Sequence, residues 1–242
     1  MKNNNFFKFE NKNVDFPFYK DEPSNLTPLA SIVLFIITIG SVIFFDFAAN
    51  IIPGFLAPFI NIIIPLGALI IIVKSDWKKL FRKIYSKDLL LIITTVIILF
   101  IFNIIMGLVI HKFFGAKPNP VSHIIESSSV YERILLLAKT IPMLLGEELI
   151  TIIPFLIILQ FGTNTLKVSR KKAIIIAWIV TSVIFGAIHL KTYNWNIIQA
   201  VLGIGIARIV LTYPYIKTKN IWISFLVHLL NDWIIFLPSL LK

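Results

Sequence analysis

Long apolar runs broken by short polar segments set the pattern of this chain. Seven stand out: Pro28–Phe47, Ile51–Val73, Leu89–Ile110, Ile134–Phe161, Ala173–Leu190, Ile197–Tyr213 and Ile221–Leu237. Each approaches the roughly 20 residues a helix needs to cross the hydrocarbon of a bilayer. The apolar residues are continuous rather than alternating, which excludes a membrane β-barrel. The predicted fold is all-α, a polytopic transmembrane helical bundle of about seven spans, six to eight depending on how the runs are divided. Only Ala48–Asn50 separates the first two runs, which predicts a tight hairpin. Pro53, Pro58 and Pro65 predict a kinked or partly re-entrant second span. The stretch Lys112–Arg133, with Lys117-Pro118-Asn119-Pro120 and Ser127-Ser128-Ser129, reads as a loop holding a short interfacial helix. Three regions follow: a tail over 1–27, N-terminal spans and loops over 28–133, and a C-terminal transmembrane core over 134–238.

Composition agrees with the pattern. Of 242 residues, 57% are hydrophobic and 14% charged, against about 45–50% and about 25% in soluble domains. The opening stretch of about 26 polar, mixed-charge residues is too long and too acidic for a signal-peptide n-region. The absence of cysteine excludes disulfides, thiolate metal sites and lipidation of the chain on sulfur.

A net charge of +11 raises the question of nucleic acid, and the placement of the charges answers it. The tail and the second, fourth and sixth connections carry 16 Lys and Arg, the opposite side five. The positive-inside rule predicts a cytoplasmic N-terminus and a C-terminus on the outside. The surplus is a topology signal with anionic membrane lipid as its partner, and nucleic acid is not an expected partner.

Charges inside a bilayer are costly and mark functional positions. Within the seven runs they are Asp46, Lys139, Glu147, Glu148, Arg208 and Asp232. Asp46 and Lys139 lie near span ends and reach the interface. Arg208 is deeper and is either a carboxylate's counter-ion or a snorkelling side chain. Glu147 and Glu148 sit near the middle of a run, about 100° apart on a helix, so at least one faces a polar cavity. Two of the four histidines are also intramembrane: His189, four after Phe185, and His228, four before Asp232. His228, Asn231 and Asp232 share one helical face, with His228 and Asp232 within hydrogen-bonding reach. His111 and His123 read as solvated. Gly203-x-x-x-Ala207 reads as a close helix-packing face. No His-Glu-x-x-His, Gly-x-Ser-x-Gly or dinucleotide fingerprint is present.

The ordered set Glu147-Glu148, Phe185-x-x-x-His189 and His228-x-x-x-Asp232 resembles the CAAX-protease and bacteriocin-processing (CPBP, or Abi) family of intramembrane endopeptidases, over about residues 134–238. The run-in Thr218-Lys219-Asn220-Ile221-Trp222 is similar too. Pro154-Phe155 after the Glu pair resembles the branch tied to peptide pheromones and bacteriocins in Gram-positive bacteria. The family's Arg falls at position 152, where this chain has Ile152.

The resemblance implies that Glu147 with His189 activates a water, and that His228 with Asp232 or Asn231 stabilises the oxyanion. Glu148 supports Glu147, and Arg208 is one candidate to take the missing arginine's place. An ionised Asp232 accepts rather than donates, which favours Asn231 or His228 as the donor. The substrate class is a peptide or protein precursor, with leader processing ahead of a prenylated tail. No cofactor is favoured. The rival is zinc on Glu147, His189 and His228 with an open position for water. Two other classes compete: a non-catalytic member acting in bacteriocin immunity or as a scaffold, to which Ile152 points, and a transporter using the Glu pair as a proton relay. Against the last, no inverted repeat with broken helices is visible.

Overall fold

A computed structural model of the chain describes Glu10, residues 14–19 and residues 26–241. Lys2, Lys8, Lys12, Lys20 and Lys242, counted in the charge pattern, lie outside the described residues. Among the described residues there are helices and no strand, and seven helical segments are long and apolar enough to cross a membrane.

The helices start where the sequence offers caps. Helix α1 (Pro28–Ala48) opens on Thr27, whose hydroxyl accepts from the Ala30 amide, with proline in its first turn. Helix α2 (Ile60–Val73) is preceded by a 3₁₀ turn at Ala57–Phe59 and prolonged by another at Lys74–Leu80. The second span thus runs over Ala57–Leu80 rather than from Ile51. Pro53 and Gly54 fall in the turns of 51–56 and Pro58 opens the 3₁₀ turn, so the connection is longer than Ala48–Asn50. Helix α3 (Ser86–Phe114) ends on Gly115 in the left-handed conformation, and the loop beyond it holds the short α4 (Pro120–Ser127).

Helix α5 (Val130–Gln160) begins with a capping box, in which Ser129 and Glu132 satisfy each other's amides. Helix α6 (Arg170–Ile188) starts on Ser169. A π-helical stretch, Ile198–Gly205, feeds α7 (Ile206–Thr218), and Asn220 caps α8 (Ile221–Leu240). Helix α5 is the axis of the bundle and packs on α1, α2, α6 and α8; α3 closes the far side against α7 and α8.

The outer surface is apolar. Leu90, Ile93, Ile97, Ile101, Ile104 and Leu108 form an exposed ridge at helical spacing along α3, a stripe suited to lipid. Tyr85 at one end of the spans, and Tyr131 and Trp195 at the other, are exposed aromatics at interfacial positions.

The two ends of the bundle differ. At the basic end the inner halves of α1, α2, α5, α6 and α7 form one large apolar cluster, and the segment 14–19 folds over it. Phe16 packs on Phe155 and Tyr215. Arg170 pairs with Glu10 and with Asp15, and Lys219 pairs with Glu10 at 3.2 Å. Burial pushes the Lys219 ammonium pKa below its ordinary value, with Glu10 opposing. Arg82 ties the connection after α2 to Lys219 and Asn220. The other end of the bundle is hollow.

Candidate functional site

The hollow is a cavity of about 680 Å³ that draws residues from every span. Glu147 reaches it from the middle of α5, Phe185 and His189 from the last turn of α6, and His228, Asn231 and Asp232 from one face of α8. The sequence-derived set therefore converges, although it comes from three helices.

Glu148 points the other way and is fully buried. Arg208 of α7 meets it as a fork: Nη1 donates to Oε1 at 2.6 Å and Nη2 to Oε2 at 2.9 Å. Of the two readings of Arg208, the structure selects the counter-ion. The guanidinium also lies over the Phe185 ring, 4.8 Å from its centroid. His228 Nδ1 bonds the same carboxylate, at 2.9 Å from Oε1. A carboxylate held by an arginine fork accepts only, so Nδ1 carries the proton and Nε2 faces the cavity. Nε2 stands 3.8 Å from Glu147 Oε2 and 4.0 Å from Asp232 Oδ1, beyond a direct hydrogen bond. The expected His228–Asp232 bond is thus replaced by a His228–Glu148 bond, because the carboxylate on α5 lies nearer the ring than its own i+4 neighbour.

Asp232 instead accepts from the Asn231 amide at 3.0 Å, and Asn231 Oδ1 accepts from Asn103 Nδ2 on α3 at 2.9 Å. The His189 ring donates through Nδ1 to the Phe185 carbonyl at 2.7 Å, the role left for it by a carbonyl that can only accept. Phe185 therefore touches His189, Arg208 and His228 at once.

Glycines let the helices close around these groups. A Cβ on Gly186 of α6 would stand 2.6 Å from the Ala200 carbonyl oxygen, and one on Gly205 would meet the Ser182 carbonyl at 3.0 Å. This mutual contact is closer than the Gly203–Ala207 face read from the sequence, where Gly203 rests on Ile110. Gly146 likewise admits Asn61 of α2 beside Glu147.

Three lining residues were not among the sequence candidates. Asn103 and Asn61 are the polar breaks in otherwise apolar runs, and an uncharged amide inside a span is their only signal. Tyr193, in the turns after α6, is buried in the cavity wall; burial, with the Asp232 and Glu147 carboxylates adding, pushes its phenol up to about 12. His111 and His123 are exposed, as expected.

Zinc was the rival use of Glu147, His189 and His228. Among the described residues no group of three His, Asp or Glu side chains is spaced to hold one metal ion.

A helical bundle in which a carboxylate and two imidazoles face one cavity holds groups able to accept and donate protons there. Residues 131–234 match the family model described as type II CAAX prenyl endopeptidase Rce1-like. The resemblance to the CAAX-protease class, read from the motifs over 134–238, is borne out over this stretch, and the family is one of intramembrane endopeptidases. Comparison with curated proteins and with solved structures returned no match.

Proposed function

We propose that the protein is an intramembrane endopeptidase that hydrolyses a peptide bond of a membrane-associated precursor, with Glu147 as the general base. One observation carries the reading. Glu147 and His228 Nε2 face each other across 3.8 Å at the floor of the cavity, a separation that one bridging water fits.

Glu147 takes a proton from that water as its oxygen attacks the scissile carbonyl carbon. The carbonyl π electrons move to oxygen. When the C–N bond breaks, the proton on Glu147 passes to the leaving nitrogen, which yields an acid and an amine. His228, held through Nδ1 by Glu148, orients the water; the sequence reading had given it to the oxyanion. Donors for the oxyanion are the second N–H of the Asn231 amide and the neutral Tyr193 phenol. His189 also lines the cavity and orients the substrate carbonyl. The Arg208–Glu148 fork is placed to give the support that the resemblance assigns to an arginine at position 152, which favours the catalytic reading over a non-catalytic immunity or scaffold protein.

The substrate we favour is a leader, pheromone or bacteriocin-type peptide precursor. The chain sits with its basic end in the cytoplasm, the orientation the loop charges support. The test is mass spectrometry of precursor peptides incubated with purified protein in liposomes, wild type beside His228→Ala. Cleavage by wild type that His228→Ala loses supports the reading; equal cleavage by both, or none by wild type across a broad set of precursors, overturns it.

A further inference from the structure

The bundle is polar along its axis. The cavity takes its residues from one half of each span: Phe45 and Asp46 from the end of α1, Asn61 from the start of α2, Ile110 from the end of α3 and Pro238 from the end of α8. The connections that border it are those carrying Asn119 and Thr192. The opposite half of the same helices is the apolar cluster capped by Phe16 and Phe18. That closed end also carries Lys78, Arg82, Lys83, Arg170, Lys171 and Lys172, whereas the open end has few cations. Helices that alternate in direction fix the two ends relative to each other, so a single charge bias orients the cavity.

From these two independent features, the packed basic end and the hollow end poor in cations, we infer that the site is reached from the extracytoplasmic face, and that its substrate is the outer juxtamembrane segment of an exported or membrane-anchored peptide. This rests on the peptidase reading for the word substrate, but the side of access stands without it. A carboxyl-terminal tail displayed in the cytoplasm would meet the apolar cluster and the 14–19 strap, not the Glu147 floor. At this end Lys191 Nζ meets Asp46 Oδ2 at 2.8 Å, which links the turns after α6 to α1.

The absence of cysteine makes the test direct. Single cysteines are placed at Thr192 on the mouth, at Met106 in the cavity wall and at Lys172 on the basic end, each in the full-length protein in cells. A membrane-impermeant maleimide reports the two exposed sites, and a small charged thiosulfonate reports Met106→Cys. The expected result is that Thr192→Cys and Met106→Cys are modified to the same extent in intact and permeabilised cells, and that Lys172→Cys is modified only after permeabilisation. Labelling of Lys172→Cys in intact cells, with Thr192→Cys protected until permeabilisation, overturns the inference. So does a Met106→Cys that is reached only when the cytoplasmic side is opened. No catalysis enters this readout, so a protein that labels as expected yet cleaves nothing refutes the peptidase reading alone.

Discussion

Replacing Arg208 by Met leaves the Glu148 carboxylate, fully buried, with His228 as its one remaining side-chain partner. The lost contacts are a two-bond fork at 2.6 and 2.9 Å and the stacking of the guanidinium on Phe185. Breaking a buried pair by removing one partner costs about 3–5 kcal/mol. For a chain of this size each kcal/mol moves the melting temperature by roughly 2–4 °C, so a fall of roughly 6–20 °C is expected. Intrinsic tryptophan fluorescence of the detergent-solubilised protein reads it. Arg208→Lys keeps the charge but not the fork, and its melting temperature falls between the two. Glu148→Gln combined with Arg208→Met removes both charges and recovers most of the stability while activity stays low, because His228 no longer has a carboxylate to hold its Nδ1–H. An Arg208→Met protein that melts within a degree or two of wild type and cleaves at its rate would refute the reasoning, because Glu148 would then have no need of a cation.

Three further outcomes are expected. Gly186→Ala forces α6 away from the Ala200 carbonyl; overpacking of this kind costs about 1–3 kcal/mol, read as a lower melting temperature and a lower kcat from displaced Phe185 and His189. Asn103→Leu leaves Asn231 Oδ1 without its donor and frees the amide to rotate; kcat falls more than KM rises, and Asn103→Gln recovers part of the loss. Burial, with the Asp232 and Glu147 carboxylates adding, is expected to push the Tyr193 phenol from its ordinary 10.0 up to about 12. The difference in ultraviolet absorbance between wild type and Tyr193→Phe should lack a phenolate step near 10, and a step there would show that the cavity wall is solvated.

The sequence shows the span-forming runs, because continuous apolar residues are a local feature. The runs at Leu89, Ile134 and Ala173, however, begin three or four residues inside helices that start at Ser86, Val130 and Arg170, whose first turns carry polar residues. The start of the second span escaped it, since a proline at 53 and another at 58 read alike in sequence and only the second begins a helical turn. Within the site, Glu147, His189 and His228 were legible as polar groups where polarity is expensive. Their partners were not. Arg208 and Glu148 are 60 residues apart in the chain, and no periodicity ties two helices at that distance. The bond from His228 to Glu148 in place of Asp232 depends on how closely α8 approaches α5, a matter of packing. Asn103 carries no charge, so its place in the site does not stand out in the sequence, although an amide in hydrocarbon needs a partner as well.

Chelator treatment separates the two chemistries once cleavage is in hand. The glutamate mechanism expects the rate to be unchanged by a strong zinc chelator and by dialysis, and a loss that added zinc restores would return Glu147, His189 and His228 to the role of ligands.

The most direct measurement is a single-turnover comparison of wild type and Glu147→Gln on one cleavable precursor, with peptide binding measured on the same samples. The account predicts an unchanged Kd and a hydrolysis rate lower by about 10²–10⁴, the contribution of a positioned general base. Hydrolysis by Glu147→Gln at the wild-type rate would contradict it.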